Sequence, residues 1–196
     1  MDITKAHFKV TGVSPLLMHS DRASNPMSEI AKQIREISSK RKKTEEDHAE
    51  MIRLDWLAGL YLDDSSRVAV PVNNIRACFR DGAKITREGK EISRKLQIDA
   101  DAVPLEYVGP KGVEALWKDG KFLDVRGVGI QGKRVQRARP IFRAWALSFE
   151  AWWVTEDLDV DTVSRIATTA GRLVGMGDYR PDKGGTFGRF TVEVTA

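Results

Sequence analysis

The sequence predicts an α+β fold in which helices pack on an antiparallel sheet. Two patterns and their order lead to this. Residues 3–11, 143–155 and 189–194 alternate apolar and polar side chains, as half-buried strands do. Residues 73–87 and the stretch after Asp159 or Asp161 place apolar side chains at helical spacing. The chain order is strand, helix, strands, helix, strand.

The elements follow in order. In ITKAHFKVT (3–11), Ala6, Phe8 and Val10 share one face, and Gly12 and Pro15 end the strand. Residues 26–62 read as helical: Ile30, Ile34 and Ile37 form a stripe, Lys40 to Lys43 interrupt it, and Met51, Leu54, Leu57 and Ala58 resume it. RVAVPV (67–72) is a short strand. A helix to about Arg87 follows, with Ile75, Cys78, Phe79 and Ala83 on its apolar face. Residues 88–102 are charged and read as a loop. AVPLEYV (102–108) and KFLDVRGV (121–128) read as strands, divided by turn signals at Gly109-Pro110 and Asp119-Gly120. In 143–155, Trp145, Leu147, Phe149, Ala151 and Trp153 share one face. Asp159 or Asp161 caps the next helix by accepting backbone N–H groups of its first turn. Phe190, Val192 and Val194 alternate in the last strand. Without the segment around 26–62, the order is close to β-α-β-β-α-β, the ferredoxin-like (RRM-like) arrangement. The expectation is one domain over 1–196, with a helical insertion at about 21–62 and a basic β-hairpin at about 121–143.

Composition narrows the function. The chain has 196 residues, 41% hydrophobic and 31% charged, with a net charge of +4. That supports a packed core and excludes a disordered chain. Cys78 is the only cysteine, so no internal disulfide and no thiolate zinc site can form within the chain. MDITKAHFKV has no continuous apolar stretch of the signal-peptide kind, and no apolar run approaches the ~20 residues of a membrane helix. These observations predict a soluble, cytoplasmic protein.

The charge is local. Residues 121–143 hold seven basic residues (Lys121, Arg126, Lys133, Arg134, Arg137, Arg139 and Arg143) against one acid, Asp124. The rest of the chain holds 25 basic against 27 acidic residues. A local surplus of six is the footprint of a phosphate-backbone binder, and a solvated hairpin is the alternative. On the helix after residue 73, Arg76, Arg80, Lys84 and Arg87 recur at spacings of four, four and three, on one face. An anionic partner would relieve their repulsion, as would Asp81 and Glu88.

GMGDYRPDKGGTFGRF (175–190) holds five glycines. One or two can serve as a helix C-cap. The others suit a backbone that approaches a phosphate or sugar closely, at Gly184, Gly185 and Gly188, beside Arg180, Lys183 and Arg189. Tyr179 and Phe187 suit stacking on bases. Trp145, Trp152 and Trp153 put tryptophan on both faces of one strand, so one face suits the core and the other a subunit contact or a base platform.

This loop, through Gly175, Gly177, Arg180, Gly185, Phe187, Gly188 and Phe190, resembles the glycine-rich loop of the RAMP superfamily, the repeat-associated RNA-binding proteins of CRISPR systems. VPVNNIRACFRDGAKI (70–85) and VTGVSPLLMHS (10–20) resemble that superfamily's strand–proline–helix segment and first strand. The resemblance covers roughly a quarter of the chain. It implies a non-catalytic subunit that coats single-stranded nucleic acid, with residues 121–143 as a thumb. A stand-alone or phage-encoded relative on single-stranded DNA is equally compatible.

Three function classes remain. The first is a non-catalytic protein that binds single-stranded RNA or DNA and self-associates along the strand. Its predicted contacts are Arg76, Arg80, Lys84, Arg126, Lys133, Arg134, Arg137, Arg139, Tyr179, Arg180, Lys183, Gly184, Gly185, Phe187 and Gly188. The second is a metal-independent endoribonuclease using His19, Tyr179 and Lys183 for acid–base cleavage. The third is a structural subunit. No cofactor or metal is expected: the three histidines lack ligand spacing, Glu156, Asp157, Asp159 and Asp161 are explained as helix-start charges, and no phosphate-loop, nucleophile-elbow or dinucleotide motif occurs.

Overall fold

The computed structural model describes residues 2–87, 89–130 and 133–196. In chain order they form β1 (Ile3–Gly12), β2 (Leu16–Leu17), α1 (Glu29–Ser38), α2 (Glu45–Gly59), β3 (Ala69–Pro71), α3 (Val72–Ile85), α4 (Gly89–Lys95), β4 (Ala102–Pro104), β5 (Glu106–Tyr107), α5 (Val113–Asp119), β6 (Leu123–Ile130), β7 (Lys133–Phe142), β8 (Trp145–Val154), α6 (Val160–Thr169) and β9 (Phe190–Thr195). The fold is α+β with antiparallel pairing. The chain divides into two compact units. Unit 1 is Met1–Leu17, Leu62–Val108 and Phe142–Ala196, and unit 2 is Met18–Tyr61 and Gly109–Ile141.

Unit 1 is built on a four-stranded sheet in the order β5-β8-β1-β9. The alternation seen in the sequence sets its register: Phe8 lies opposite Phe149 on β8 and opposite Val194 on β9. A slip of one residue would turn Ala6, Phe8 and Val10 out to solvent. Phe8 and Phe149 stack at 5.1 Å, and Phe79 of α3 meets Phe8 at 5.8 Å. Phe8 is fully buried, and truncating such a side chain to alanine costs about 3–5 kcal/mol. Asp159 caps α6 by accepting from the Thr162 N–H at 2.7 Å. Small residues let helices and strand approach: a Cβ on Gly82 of α3 would meet the Ala170 Cβ at 2.7 Å, and one on Gly171 would overlap the Phe190 carbonyl. Residues 170–174 continue α6 as a π-helical turn.

Unit 2 joins the helical insertion to the hairpin and to a helix between them. Thr44 and Asp47 form a reciprocal capping box at the start of α2. Lys40 pairs with Asp47 at 2.6 Å, and Lys43 donates to the Ser38 and Lys40 carbonyls at the end of α1. The basic run thus breaks the helical stripe by capping both its halves. Trp56 donates to the Phe122 carbonyl at 2.8 Å and packs on Trp117 of α5 at 5.3 Å. A Cβ on Gly59 would meet Pro140 at 2.8 Å, so α2 lies directly against β7.

Three elements differ from the sequence expectation. Residues 89–95 are helical, within the stretch read as a loop. Ile92 and Leu96 bury there, and Arg76 of α3 donates to the Ser93 carbonyl at 3.1 Å. Helix α5 stands between the expected turns at Gly109-Pro110 and Asp119-Gly120. Helix α3 ends at Ile85, so Arg87, at φ 66°, leaves the helical stripe. Among the described residues no helix is long and apolar enough to cross a membrane.

Candidate nucleic-acid interface

In unit 1 the glycine loop folds onto its own backbone. Gly175, Gly177, Gly184 and Gly188 all have φ between 68° and 77°. A Cβ on Gly188 would overlap the Met176 carbonyl, one on Gly185 the Tyr179 carbonyl, and one on Gly177 the Leu17 carbonyl. The close partner of these three glycines is therefore protein backbone. Gly184 differs, since a Cβ there would meet nothing within 4 Å. The loop is also tied down by hydrogen bonds. Met176 N–H donates to Gly188, Asp178 N–H to Leu17, Gly188 N–H to Pro15 and Phe187 N–H to Tyr179, at 2.7–3.2 Å. Arg189 N–H donates to Ser14 Oγ at 2.9 Å. The segment 10–20 and the loop, which carry two of the three resemblances, meet through these bonds.

This scaffold holds Tyr179 at its exposed tip. Tyr179 is 50% exposed and adopts φ 49°, a left-handed conformation that a non-glycine residue rarely takes. Its ring lies 6.3 Å from that of Phe187. Arg180 donates to the Gly177 carbonyl at 3.2 Å and pairs with Asp182 at 3.4 Å, and Lys183 pairs with Asp182 at 3.1 Å.

Helix α3 approaches the same loop. Cys78 directs its thiol to the Gly175 carbonyl at 3.2 Å. Burial pushes this thiol up to about 12, with the charges of Arg180, Asp81 and Asp182 acting on it as well. Arg80 and Lys84, on the neighbouring turns, both bond Asp81, at 3.1 and 2.8 Å. Burial raises the Asp81 carboxyl, but the bonds from Arg80 and Lys84 outweigh it, and the carboxyl titrates below its ordinary value. Repulsion along the stripe is thus relieved within the helix. Unit 1 gathers Arg80, Lys84, Arg180 and Lys183 around Cys78 and two carboxylates, while Arg76 is engaged with α4.

In unit 2 the basic hairpin pairs β6 with β7, placing Arg126 opposite Arg137 and Gly129 opposite Arg134. Arg126 bonds Asp124, and Arg137 meets Asp55 of α2 at 3.3 Å. Arg134 is exposed, and Arg139 is half-buried. Lys133 opens β7, and its side chain lies outside the described residues. Gly127 and Gly129 have open space where a Cβ would stand. His19 also belongs to unit 2, exposed, whereas Tyr179 and Lys183 belong to unit 1. Trp152 donates to Asp99 at 2.7 Å and its backbone pairs with Gln97, so this tryptophan has a partner within unit 1. Sequence reading missed Asp55, whose contacts lie 82 and 83 residues away.

Neither a protein-family profile nor a curated protein matches the sequence. Solved structures do match in fold. Cmr-beta of type III-B, determined by cryo-EM bound to cognate target RNA, contains a chain that aligns with 98% of this one at a TM-score of 0.52 and 11% identity. The likeness is one of fold. The chain spans 61% of that neighbour's length. Cmr6 from Pyrococcus furiosus is a looser likeness, with a TM-score of 0.41 and 11% identity over 97% of this chain and 99% of its own.

Proposed function

We propose that the chain is a non-catalytic subunit that binds single-stranded nucleic acid, RNA foremost, and lines up in repeated copies along the strand. The observation that carries this reading is Tyr179. A solvent-facing aromatic ring is held in a strained backbone conformation at the tip of a loop otherwise fixed by its own backbone. Strain of this kind costs about 1–3 kcal/mol and persists where the surroundings impose it, often at binding sites. Arg180 and Lys183 flank the ring to meet phosphates, and Arg80 and Lys84 extend the basic surface along α3. The RNA bound to Cmr-beta supports the choice of RNA. The sheet order β5-β8-β1-β9, with α3 and α6 as the two crossovers, supports the ferredoxin-like reading. The hairpin of unit 2 is read as the basic thumb.

The non-catalytic reading draws support from Lys183 and Arg180, which share the Asp182 carboxylate as bound cations. The test is anisotropy of labelled single-stranded RNA, with cleavage followed on the same samples in EDTA. Binding without cleavage is expected, and Tyr179→Ala should weaken it by about 1–3 kcal/mol, the loss of one stacked base. Cleavage in EDTA that disappears in His19→Ala would establish the endoribonuclease reading instead.

A further inference from the structure

Unit 2 contains a cleft of about 740 Å³, of which the strand-binding reading uses only Arg137. Its size is that of a small-ligand site. Met51 and Ile52 of α2 line it, together with Val125 and Val135 of the hairpin. The two valines are 41% and 39% exposed, so this apolar surface is open.

Polar recognition comes from the edge of β7. The Ala138 N–H turns away from β6 and donates to Asp55 Oδ2 at 2.8 Å. The Pro140 carbonyl turns the same way and accepts from Met18 N–H at 2.9 Å. Antiparallel strands alternate inward and outward positions with a period of two. The N–H and C=O of Gln136 therefore also turn away from β6, and Gln136 lines the cleft. One residue thus offers a donor and an acceptor side by side. A nucleobase edge presents the complement, as adenine does with an N6–H donor beside a ring-nitrogen acceptor. His19, His48 and Arg137 line the same cleft and supply donors suited to a phosphate. A peptide strand fits less well, because Asp55 already occupies the next outward position at Ala138.

We propose that this cleft binds a nucleotide. The base lies between the apolar walls with its edge on the Gln136 main chain, and the phosphate meets His19, His48 and Arg137. The ligand is a free mononucleotide or one residue of a bound strand. The shared chemistry is a base with an adjacent donor and acceptor on a phosphorylated ribose. The inference rests on unit 2 alone and does not depend on the loop of unit 1.

The test is calorimetry of the full chain with AMP and ribose 5-phosphate, and anisotropy with a labelled oligo(A) strand. Two variants probe the site. Gln136→Pro removes the outward N–H, which makes no bond to β6, so proline is tolerated there. Val135→Glu places a charge on the apolar wall, and circular dichroism checks the folding of both. The expected result is an about tenfold loss of affinity in each variant, the scale of one hydrogen bond. A loss with AMP marks a free-nucleotide site, and a loss with oligo(A) alone marks a strand residue. Either result sustains the proposal. Undiminished affinity for both ligands in both variants overturns it, as does equal affinity for AMP and ribose 5-phosphate without any loss on oligo(A). Tyr179→Ala should leave AMP affinity unchanged, which separates this site from the loop.

Discussion

The glycine loop and the basic hairpin use the same residue types for opposite ends. In the loop, Gly177, Gly185 and Gly188 exist because backbone passes where their side chains would stand. In the hairpin, Gly127 and Gly129 face open space. The loop neutralises part of its charge internally through Asp182, and the hairpin keeps Arg134 exposed at its outer end. The loop is built to hold a shape and the hairpin to present charge. A glycine count alone does not separate these uses; the φ angle and the occupant of the missing Cβ do.

The largest contrast lies in stability. Gly188→Ala combines φ 68° with an overlap on the Met176 carbonyl, and should cost about 3 kcal/mol or more in unit 1. Gly129→Ala should change stability by less than about 0.5 kcal/mol. Thermal denaturation of the two variants checks this, and equal effects would break the comparison. Cys78 gives a second readout. Cys78 is 3% exposed and burial pushes its thiol up to about 12, so it should resist maleimide at pH 8 in the native protein. It should label far faster in Gly188→Ala, whose loop no longer seals it.

Tyr179 sharpens the comparison from the side of binding. Tyr179→Gly should relieve the left-handed strain and raise stability by about 0.5–1 kcal/mol, while affinity for single-stranded RNA falls as in Tyr179→Ala. A glycine variant that binds as well as the wild type would detach the strain from function.

Electrostatic effects are smaller. Neutralising Arg134, Arg137 and Arg139 together should flatten the salt dependence of single-strand binding by about two units of slope, at ~0.7 per phosphate contact. Asp81→Asn releases Arg80 and Lys84 from their carboxylate and should steepen the slope. Because the Asp81 carboxyl is lowered in the folded state, its pairing stabilises the fold above the ordinary carboxylate pKa. That stabilisation is lost as pH falls through the lower folded value. The stability gap between wild type and Asp81→Asn should therefore close below about pH 4.

Strict alternation made the main sheet legible. Strands β1, β8 and β9 fall within two residues of their expected ends, because each buries one face against a continuous core. Helix α4 was hidden because its buried Ile92, with Leu96 just past its end, stands among charged neighbours and shows no helical period. Helix α5 has seven residues, too few to show a period, and the turn signals at Gly109-Pro110 and Asp119-Gly120 bracket it. The insertion and the hairpin read as separate features. Their union in unit 2 depends on pairs such as Trp56 with Phe122 and Asp55 with Ala138, which no local pattern announces. At the site, the sequence showed where glycine and charge concentrate. It could not show that the loop's close partner is its own backbone, or that Asp55, Asp81 and Asp182 already engage five of the cations.

The most direct measurement is fluorescence anisotropy with labelled single-stranded RNA, single-stranded DNA and duplex DNA at two salt concentrations in EDTA, for wild type and Tyr179→Ala. A salt-sensitive preference for single strands that Tyr179→Ala weakens by about 1–3 kcal/mol is the predicted result. Absence of binding to all three, or binding indifferent to Tyr179, would contradict the assignment of the glycine loop as a nucleic-acid interface.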